Sequence, residues 1–589
     1  MSSLTLRASR QDGTYPRPQM VRQRWSDLTG EWDFDYGEPA DVASCRPRAV
    51  FARTIIVPFP PESPASGVGD TGFHPVVWYR RRVSPVDVAG TGRRASDRLL
   101  LHFGAVDYRA DVWAGGQHVG HHEGGHTPFT VDVSQAGDEF DVVLRAEDDP
   151  TDVEQPRGKQ DWQLDPHIIW YHRTTGIWQP VWLEAAPQQH IEWLGWTTDV
   201  ARAEVTLAYE TALAPEPGTM MRASLTLDGN LLADVAVAVS WRRGELRLAL
   251  DALANGQDLD PYLWSPESPT LLDATVRLAG PGGAALDEVA SYVGLRSVAA
   301  HHGRLLLNGR PYYTRGVLSQ GYWPQSHLAA PSATALRDEV RLVKDLGFNT
   351  ARLHQKIEDP RWLYWADRLG VLVWGEMPSA YRFSGTSVAR LTSEWQQAVR
   401  RDLSHPCVVA WVPMNESWGA QQAAVWPQQR HLLQAMYHLT KTLDPTRPVI
   451  SNDGWEHADS DILTIHDYTN DPAALATASG IGPGGKVIRL LPEAETPGLR
   501  DAPVIVSEFG GVALDTRRND GSWGYAVVPD VEHLEARLRA VFGALRASPV
   551  LAGWCYTQLT DTLQETNGLT DPDRRPKLPV AVLREIIAG

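Results

Sequence analysis

The sequence predicts a multidomain protein in which two β-sandwiches precede a (β/α)8 TIM barrel. Its 589 residues exceed what a single hydrophobic core holds. Over the first 300 residues, short apolar or alternating runs are separated by Gly, Pro and Asp clusters, which is typical of sandwiches. From about residue 304 onward, strand-like and helix-like segments alternate, and that alternation favours a parallel sheet with helices packed against it.

The β-rich part divides into two predicted domains. Residues 1–187 carry short strands at the spacing of a β-sandwich, and we assign them to an N-terminal jelly-roll sandwich. Residues 188–300 repeat this pattern in about 110 positions, which is the size of an immunoglobulin-like sandwich. The remaining residues, 301–589, form the third predicted domain.

Eight strand-like runs in residues 301–589 predict the barrel. They are Tyr312 to Leu318, Thr350 to His354, Val371 to Met377, Val408 to Asn415, Val449 to Ser451, Ile462 to Asp467, Val504 to Glu508 and Ala552 to Thr557. Helix-like patterns lie between most of these runs: Ala333 to Leu346, Pro360 to Leu369, Ser387 to Leu403, Gln421 to Leu443 and Val531 to Ala547. Eight parallel strands with helices in most of the gaps indicate a closed barrel. The alternative is an open doubly wound sheet, but no Gly-rich phosphate loop follows the first strand.

Two glutamates stand where strands of this barrel end. Glu416 follows the fourth strand in the segment WVPMNES at 411–417, and Glu508 ends the seventh in VIVSEFGG at 504–511. In a TIM barrel, functional groups lie at the C-terminal ends of the strands, so both carboxylates are expected at one mouth. Two carboxylates that face each other across the scissile bond are the catalytic groups that cleave a glycosidic bond. Glu376, at the end of the third strand, is a further candidate.

Composition excludes several classes of protein. The net charge of −17 and the lack of basic runs argue against a nucleic-acid partner or an anionic membrane. No apolar stretch is long enough to span a bilayer. The N-terminus lacks the apolar core of a secretory signal, which predicts a cytoplasmic location. Three widely separated cysteines fit neither a disulfide framework nor a zinc pattern. We also expect no metal and no cofactor. Homo-oligomerisation through the sandwiches is compatible with the sequence.

Motifs along nearly the whole chain resemble glycoside hydrolase family 2, which includes β-galactosidases, β-glucuronidases and β-mannosidases. In the barrel, Asn415-Glu416 and residues 507–510 (SEFG) resemble the two catalytic segments, in the order that the family has them. Each motif is weak alone, but the ordered set is specific. The segments that resemble the family's sugar-binding sandwich are 15–19 (YPRPQ), 28–32 (LTGEW), 103–108 (FGAVDY), 123–129 (EGGHTPF) and 176–184 (GIWQPVWLE).

The resemblance implies a retaining exo-β-glycosidase that forms a covalent intermediate with a terminal sugar. Glu508 would be the nucleophile and Glu416 the acid/base. Glu508 must then be ionised, whereas Glu416 must hold a proton at neutral pH, for which we expect a raised pKa. A retaining pair is about 5–5.5 Å apart, against about 6.5–9.5 Å for an inverting pair.

Other residues near the strand ends are predicted to contact the sugar. Asn415 is placed for the 2-hydroxyl, and Tyr468 for a hydrogen bond that holds Glu508 charged. The remaining candidates are aromatic or cationic groups that suit a hydroxylated ring, and a structural role is open for each. They are Arg352 and His354 after the second strand, His466 after the sixth, Trp554 on the eighth and Trp323 after the first.

Departures from the family leave the sugar open. Trp170 stands where well-known members carry an acidic residue that reads a sugar hydroxyl. The Asn-x-Lys signature for a sugar carboxylate has no Asn at 573–577 (DRRPK), and the magnesium pattern is missing around Glu376. These differences favour another sugar shape, including a galactofuranose or arabinose unit. Long loops at 479–502 and 510–528 favour exo action.

Two functions of other classes remain open from the sequence. A non-catalytic carbohydrate-binding protein would use such sandwiches, although it needs no pair of strand-end carboxylates. A metal-dependent barrel hydrolase would gather His and Asp ligands at strand ends, for which His354, His466 and Asp467 are candidates. The first strand supplies no His pair for such a site.

Overall fold

The computed structural model describes residues 6–43, 46–257, 259–478, 501–515 and 521–589. Loop residues 479–500 and 516–520, on which the expectation of exo action partly rests, lie outside the described residues. The predicted fold class is confirmed: two sandwiches precede a curled parallel sheet with helices around it. No helix in the described ranges is both long and apolar enough to cross a bilayer.

The N-terminal sandwich packs a six-stranded antiparallel sheet against a four-stranded one. Its core is built from side chains that alternate inward, such as Trp32, Phe34 and Leu101, all essentially inaccessible to solvent. One short helix, Pro85–Gly90, begins with a capping box formed by Ser84 and Asp87. The strands are Trp25–Asp27, Gly30–Tyr36, Arg53–Val57, Val76–Val83, Arg98–Phe103, Val106–Asp107, Arg109–Ala114, Gln117–Glu123, Phe129–Asp132, Phe140–Glu147, Gly176–Ile177 and Val181–Ala186.

The second sandwich packs a three-stranded sheet against a four-stranded one around a separate core. Its strands are Ile191–Asp199, Glu204–Thr211, Met220–Leu227, Asn230–Ala238, Arg243–Ala249, Leu272–Ala279 and Ala285–Val293. A small antiparallel sheet of Val298–His301, Arg304–Leu307 and Arg310–Pro311 leads into the barrel. The boundaries at 187/188 and 300/301 stay predictions, although strands end at Ala186 and begin at Ile191.

The barrel contributes seven parallel strands in the described part of the chain. In chain order they are Thr314–Ser319, Thr350–Leu353, Leu372–Glu376, Val408–Val412, Leu463–Asp467, Val504–Gly510 and Leu551–Thr557. The first strand pairs with both the second and the last, so the sheet curls around one axis. The C-terminal ends of these strands form what we call the barrel mouth. A short parallel pair, Val512–Leu514 and Ala526–Val528, lies beyond it.

The predicted fifth strand, Val449 to Ser451, is wrong as a strand. The segment lies beside the fourth strand and touches it only through isolated bridges, Trp411 to Val449 and Asn415 to Asp453. Its backbone N–H groups mostly donate to side chains: that of Val449 to Asp461 at 2.9 Å, and that of Ser451 to the Ser460 hydroxyl at 3.3 Å. Because side chains satisfy these donors, no continuous ladder forms.

Amphipathic helices cover the outside of the barrel and bury one apolar face each. Trp362 on one helix and Trp395 on the next are fully buried against the sheet. The helix predicted from Gln421 begins at Pro427, because proline favours the first helical position and the preceding residues form turns. The helices are Ala333–Asp345, Pro360–Leu369, Gly385–Asp402, Pro427–Leu443, Pro472–Ala478, Val531–Arg546 and Val580–Ala588.

Candidate active site

The fold brings Glu416 and Glu508 to the same side of the barrel mouth. Ligand atoms of Glu416, His466 and Glu508 all lie within 4.8 Å of one another, so an oxygen of one carboxylate faces an oxygen of the other across that gap. The backbone reason is the parallel sheet, which ends its strands at one edge. This separation fits the spacing of a retaining pair better than that of an inverting pair.

Glu508 is buried and held by two donors. Arg352 Nη1 donates to its Oε1 at 2.8 Å, and the Tyr468 hydroxyl donates to its Oε2. The Tyr468 hydroxyl oxygen also lies 3.2 Å from Thr557 Oγ1, and the Tyr468 ring stacks on Tyr525 with centroids 3.4 Å apart. Hydrogen bonds to an ionised carboxylate stabilise the charged form, which is the form that attacks an anomeric carbon.

Arg352 is the central cation of the site and has no exposed side-chain surface. Its Nε donates to Glu376 Oε2 at 2.6 Å, its Nη1 contacts Asp453 Oδ2 at 2.7 Å, and its Nη2 donates to Asn415 Oδ1 at 2.7 Å. A planar guanidinium suits this role because its five N–H donors point in fixed directions. The structure therefore brings Arg352 into contact with both Glu508 and Asn415.

Glu416 lies in a strained turn. Both Glu416 and Ser417 have left-handed backbone angles, with φ of +52° and +56°. Such conformations cost free energy in residues with a side chain and persist only when the surroundings fix them. Here the Glu416 amide donates to Asp453 O at 2.9 Å, and the Ser417 amide donates to Asn452 Oδ1 at 2.8 Å. The turn aims the Glu416 side chain into the mouth.

His466 connects the two carboxylates. Its Nδ1 lies 2.7 Å from Glu416 Oε1, its Nε2 lies 2.8 Å from Asp453 Oδ2, and the same Nε2 lies 3.4 Å from Glu508 Oε1. Burial by itself lowers the pKa of His466, but the charge of Glu508 and the hydrogen bonds to Asp453 and Glu416 outweigh burial and raise that pKa to about 10. Both ring nitrogens then carry a proton and donate.

The contact with His466 reverses the expected direction of the pKa shift of Glu416. Burial by itself raises the pKa of its carboxyl, but the hydrogen bond from His466 and the His466 charge outweigh burial and lower that pKa to about 2. The prediction of a raised pKa is therefore wrong for the geometry that the structure shows. At neutral pH the proton nearest the reacting carboxylates resides on His466, one hydrogen bond from Glu416. The titration belongs to the pair rather than to either residue.

Asn415 and His354 both contact Nη2 of Arg352. Asn415 is buried, its Oδ1 accepts from Arg352, and no described residue accepts from its Nδ2. His354 Nδ1 lies 2.9 Å from Glu376 Oε1 and 3.1 Å from Arg352 Nη2. Burial, followed by the charge of Arg352, lowers the pKa of His354 well below its usual value, so the ring is neutral. Glu376 thus orients Arg352 and His354.

An aromatic cluster borders Glu416. Trp418 Nε1 donates to Glu416 Oε2 at 3.2 Å, and its ring contacts Trp170 and Tyr381 at centroid distances of 5.7 and 5.2 Å. Trp162 packs against Trp170 at 4.6 Å. Trp162 and Trp170 belong to the N-terminal sandwich, so a loop of that domain builds one wall of the mouth.

The structure does not bring Trp554 to the carboxylates. Its ring packs among Phe348, Phe509 and Phe542, on the helix-facing side of the sheet. Side chains alternate along a strand, and the next residue, Cys555, is the one that faces inward. Burial raises the pKa of the Cys555 thiol, and the charges of Arg352 and Glu508 also act on it. A sugar floor at Trp554 is therefore corrected to a core position.

Trp323 is likewise covered by a protein side chain. The Arg574 guanidinium lies 3.3 Å from the centroid of its ring. Arg574 also contacts Glu339 at 2.8 Å and donates to Tyr322 O at 2.8 Å, which fixes the guanidinium over the indole. None of the described contacts of Trp323 involves a catalytic candidate, so that face of its ring does not line the mouth.

Several residues of the site were not predicted from the sequence. Asp453 contacts both Arg352 and His466, and Tyr525 stacks on Tyr468. Two buried charged residues, Lys159 and Glu565, lie close enough to Glu416 to interact with its charge. Asp453 follows Val449 to Ser451, the predicted fifth strand, and a polar residue after a predicted barrel strand is a candidate site residue. Lys159 belongs to a different domain from the barrel, and no local pattern marks it.

Two family models match the chain. "Glycosyl hydrolases family 2, TIM barrel domain" matches residues 298–510, and "Glycosyl hydrolases family 2" matches residues 189–296. Together they cover more than half of the chain, and the catalytic candidates Glu416 and Glu508 lie inside the first. The fold and the site define a sugar-hydrolase barrel, and the chain belongs to glycosyl hydrolases family 2.

Curated relatives are about one quarter identical. A β-glucuronidase of Canis lupus familiaris is 27% identical over 510 residues, covering 77% of this chain and 73% of its own. A β-galactosidase of Thermoanaerobacter pseudethanolicus is 25% identical and covers 58% and 45%. A putative β-glucuronidase of Formosa agariphila is 25% identical and covers 63% and 44%. The chain spans less than half the length of the last two relatives.

Solved structures share the whole architecture. A β-D-glucuronidase of Dictyoglomus thermophilum superposes with a TM-score of 0.75 at 19% identity, covering 98% of this chain and 99% of its own. A GH2 β-galacturonidase of Eisenbergiella tayi bound to galacturonate gives 0.73 at 19% identity, covering 97% and 98%. At this identity the likeness establishes the fold and leaves the substrate to the residues of the site.

Proposed function

We propose that this chain is a retaining exo-β-glycosidase that removes a terminal non-reducing sugar by double displacement. The observation that carries the proposal is the approach of Glu416 and Glu508 within 4.8 Å, with His466 between them. Glu508 is the nucleophile, because Arg352 and Tyr468 stabilise its charged form. The relatives named β-glucuronidase and β-galactosidase support glycoside cleavage as the reaction class.

The first step forms a covalent glycosyl-enzyme. Glu508 attacks the anomeric carbon, the glycosidic bond breaks, and the leaving oxygen takes a proton from the Glu416–His466 pair. The Glu416–His466 pair thereby gives up the proton that the two side chains share. Glu508 loses its negative charge when it forms the glycosyl ester. In the second step water attacks the anomeric carbon, its proton returns to the pair, and Glu508 leaves as a carboxylate. The product keeps the configuration of the substrate.

Neighbouring groups assist both steps. The free Nδ2 of Asn415 donates to the 2-hydroxyl, with its side chain fixed by Arg352. The aromatic cluster around Trp418 gives the leaving group a flat apolar surface next to Glu416. The loop of the N-terminal sandwich that carries Trp170 closes one side of the mouth, since Gln564 of the barrel donates to Trp170 O at 2.8 Å. A closed side favours exo action on a chain end.

A furanose-cleaving glycosidase is the second candidate, either a β-galactofuranosidase or an arabinosidase. The observation that favours it is Trp170, whose bulky ring packs against Trp418 at the position where an acidic residue was expected to read a pyranose hydroxyl. A substrate panel that contains pyranosides and furanosides separates the two ring forms. The cytoplasmic location and a homo-oligomeric state stay predictions.

The test uses 4-nitrophenyl glycosides of both ring forms, with Glu508→Gln and Glu416→Gln as variants. We expect the wild-type protein to release nitrophenol from at least one glycoside and each variant to lose at least about 10³-fold in kcat. Exposed Glu585, changed to Gln, serves as the matched control and keeps full activity. Full activity in Glu508→Gln contradicts the proposal, and binding without hydrolysis in the wild type favours a carbohydrate-binding protein. Loss of activity in EDTA favours the metal-dependent alternative.

A further inference from the structure

Lys159 and Glu565 are buried at the barrel mouth, yet the proposed reaction uses neither. Lys159 lies in a loop of the N-terminal sandwich, and Glu565 follows the last barrel strand; their exposed fractions are 6% and 3%. Among the described residues, the Lys159 ammonium has no hydrogen-bond or ion-pair partner, and it lies 5.7 Å from the centroid of the Tyr171 ring. A buried, unpaired ammonium is costly unless a ligand or water completes it.

Both side chains are within electrostatic reach of the catalytic carboxylates. Burial raises the pKa of Glu565, the charge of Lys159 lowers it, and the charges of Glu508 and Glu416 raise it further. Lys159 also contributes to lowering the pKa of Glu416 and of His354. A contact agrees with this proximity: Trp170, the residue before Tyr171, packs against Trp418, which donates to Glu416.

The two side chains are held in place by contacts between the domains. The Tyr171 hydroxyl donates to Glu565 Oε2, and the Tyr171 amide donates to Lys159 O at 2.8 Å. Glu565 exchanges backbone hydrogen bonds with Thr562 at 2.9 and 3.0 Å, and the neighbouring Gln564 donates to Ile168 O at 3.0 Å. No described residue donates to Glu565 Oε1. One ammonium and one carboxylate oxygen are thus pre-positioned and available.

We propose that Lys159 and Glu565 form a specificity pair that binds neighbouring hydroxyls of a neutral sugar and disfavours uronic acids. A hydroxyl is both donor and acceptor, so it can accept from Lys159 while it, or its neighbour, donates to Glu565. A sugar carboxylate offers only acceptors at neutral pH and would meet Glu565 as a further negative charge beside Glu416 and Glu508. This inference rests on the proposed glycosidase function and narrows its substrate class.

The charges around the mouth favour the same conclusion. Arg352 is already engaged by Glu376, Asp453 and Glu508, so it offers no free face to a carboxylate. Lys577, a half-buried lysine in the chain segment after the last barrel strand, contacts Asp561 at 2.7 Å and donates to Thr566 O at 3.0 Å. Of Arg352, Lys577 and Lys159, all in described parts of the chain, Lys159 is the one without a hydrogen-bond or ion-pair partner. Its charge acts on Glu565 and lowers the pKa of that carboxyl.

The experiment compares kcat/KM for 4-nitrophenyl β-galactopyranoside, β-glucopyranoside, β-galactofuranoside, α-L-arabinofuranoside, β-glucuronide and β-galacturonide. The wild type is expected to prefer its best neutral substrate at least about 100-fold over either uronide. Glu565→Gln and Lys159→Met are each expected to lose about 10- to 100-fold on that neutral substrate, as expected for a lost hydrogen bond to a charged group. Glu565→Gln should also reduce the neutral-to-uronide preference about 10-fold or more.

Controls separate recognition from folding. Lys159→Arg keeps the charge and the donors and should retain more activity than Lys159→Met. Glu585→Gln should change neither substrate ratio, and all variants should keep the thermal unfolding midpoint of the wild type within a few degrees. Two outcomes overturn the role of Lys159 and Glu565 but leave the proposed glycosidase function intact. One is a wild type that prefers a uronide, and the other is a Glu565→Gln variant with an unchanged neutral-to-uronide preference. A wild type that hydrolyses no glycoside overturns the proposed function, and the pair's role falls with it.

Discussion

His466 donates through Nδ1 to Glu416 Oε1 at 2.7 Å, and this contact ties the proposed acid/base to a second titrating group. Asp453 and Glu508 face the same ring from the other side, and Trp455 packs against it at a centroid distance of 5.5 Å. The proton that a leaving group needs is therefore stored on an imidazolium rather than on an isolated carboxyl. Changes to this ring and to the residues that support it should alter the reaction in specific ways.

The pH dependence should report the Glu416–His466 pair. Because the pKa of His466 is raised to about 10, the pair keeps its proton through neutral pH and loses it as the pH rises through that value. In His466→Asn the proton must reside on Glu416 alone, so the alkaline limb of kcat/KM should move to lower pH. A pH–rate profile of both proteins measures this. An alkaline limb at the same pH in the variant contradicts the shared proton.

Tyr468→Phe should reduce kcat without unfolding the protein. The change removes the hydroxyl that donates to Glu508 Oε2 and leaves the stacking on Tyr525 in place. Loss of one donor to a catalytic anion is expected to cost about 10- to 100-fold in kcat. Tyr312→Phe, which removes a hydroxyl that donates to Glu267 at 2.8 Å away from the mouth, is the control and should retain most activity. Equal effects of the two changes would contradict a specific role for the Tyr468 hydroxyl.

Arg352→Met should destabilise the fold as well as abolish activity. Glu376, Asp453 and Glu508 would lose their common cation in a fully buried position. Removing one partner from a buried charge cluster is expected to lower the free energy of unfolding by about 3–5 kcal/mol. Urea denaturation measures the change, with Arg539→Met as the control, because Arg539 is a half-exposed arginine on the outer helix Val531–Arg546. A variant as stable as the wild type would show that these carboxylates do not depend on Arg352.

Gly454→Ala should disturb the site through His466. Gly454 has a φ of +102°, and a methyl group on it would lie 2.7 Å from the imidazole ring. The ring would have to move, which breaks its contact with Glu416, so we expect a loss of at least about 10-fold in kcat. In Gly543→Ala, a helical glycine with open space around it, we expect full activity and about 0.5–1 kcal/mol more stability. Unchanged kcat in Gly454→Ala would contradict the requirement for this His466 position.

Trp170→Ala should affect the leaving group more than the sugar. Its ring contacts Trp418, which donates to Glu416. Removing it opens the wall next to the acid/base, so KM for nitrophenyl substrates should rise while the preference among sugars stays within about 3-fold. Steady-state kinetics over the substrate panel measures both values. A changed sugar preference with unchanged KM would contradict this and would place Trp170 at the sugar, as the furanose-cleaving alternative requires.

The sequence predicts elements well where local chemistry decides them. The helix Pro360–Leu369 has the predicted bounds because Asp359 accepts from the Arg361 amide at its start, Pro360 takes the first position, and Gly370 ends it with a φ of +74°. The segment at Val449 was misjudged because its donors go to Asp461 and other side chains of a later loop. A run of three apolar and small residues carries no information about those partners.

The features of the site also divide into those that the sequence predicts and those that depend on residues distant in sequence. The positions of Glu416 and Glu508 follow from strand ends, which the apolar runs mark. The lowered pKa of Glu416 does not, because His466 is 50 positions away in sequence and reaches it only through the barrel. Trp554 was placed on the wrong face because an all-buried strand shows no alternation of apolar and polar residues to reveal its inward side. Lys159 enters from another domain altogether.

Trapping the covalent intermediate tests the proposed double displacement most directly. A 2-deoxy-2-fluoro glycoside of the best substrate in the panel slows the second step, and peptide mass mapping then locates the attached sugar. We predict one sugar on Glu508 and, with the unmodified substrate, an NMR-detected product of retained configuration. A sugar attached at another residue, or a first-formed product of inverted configuration, would contradict this mechanism.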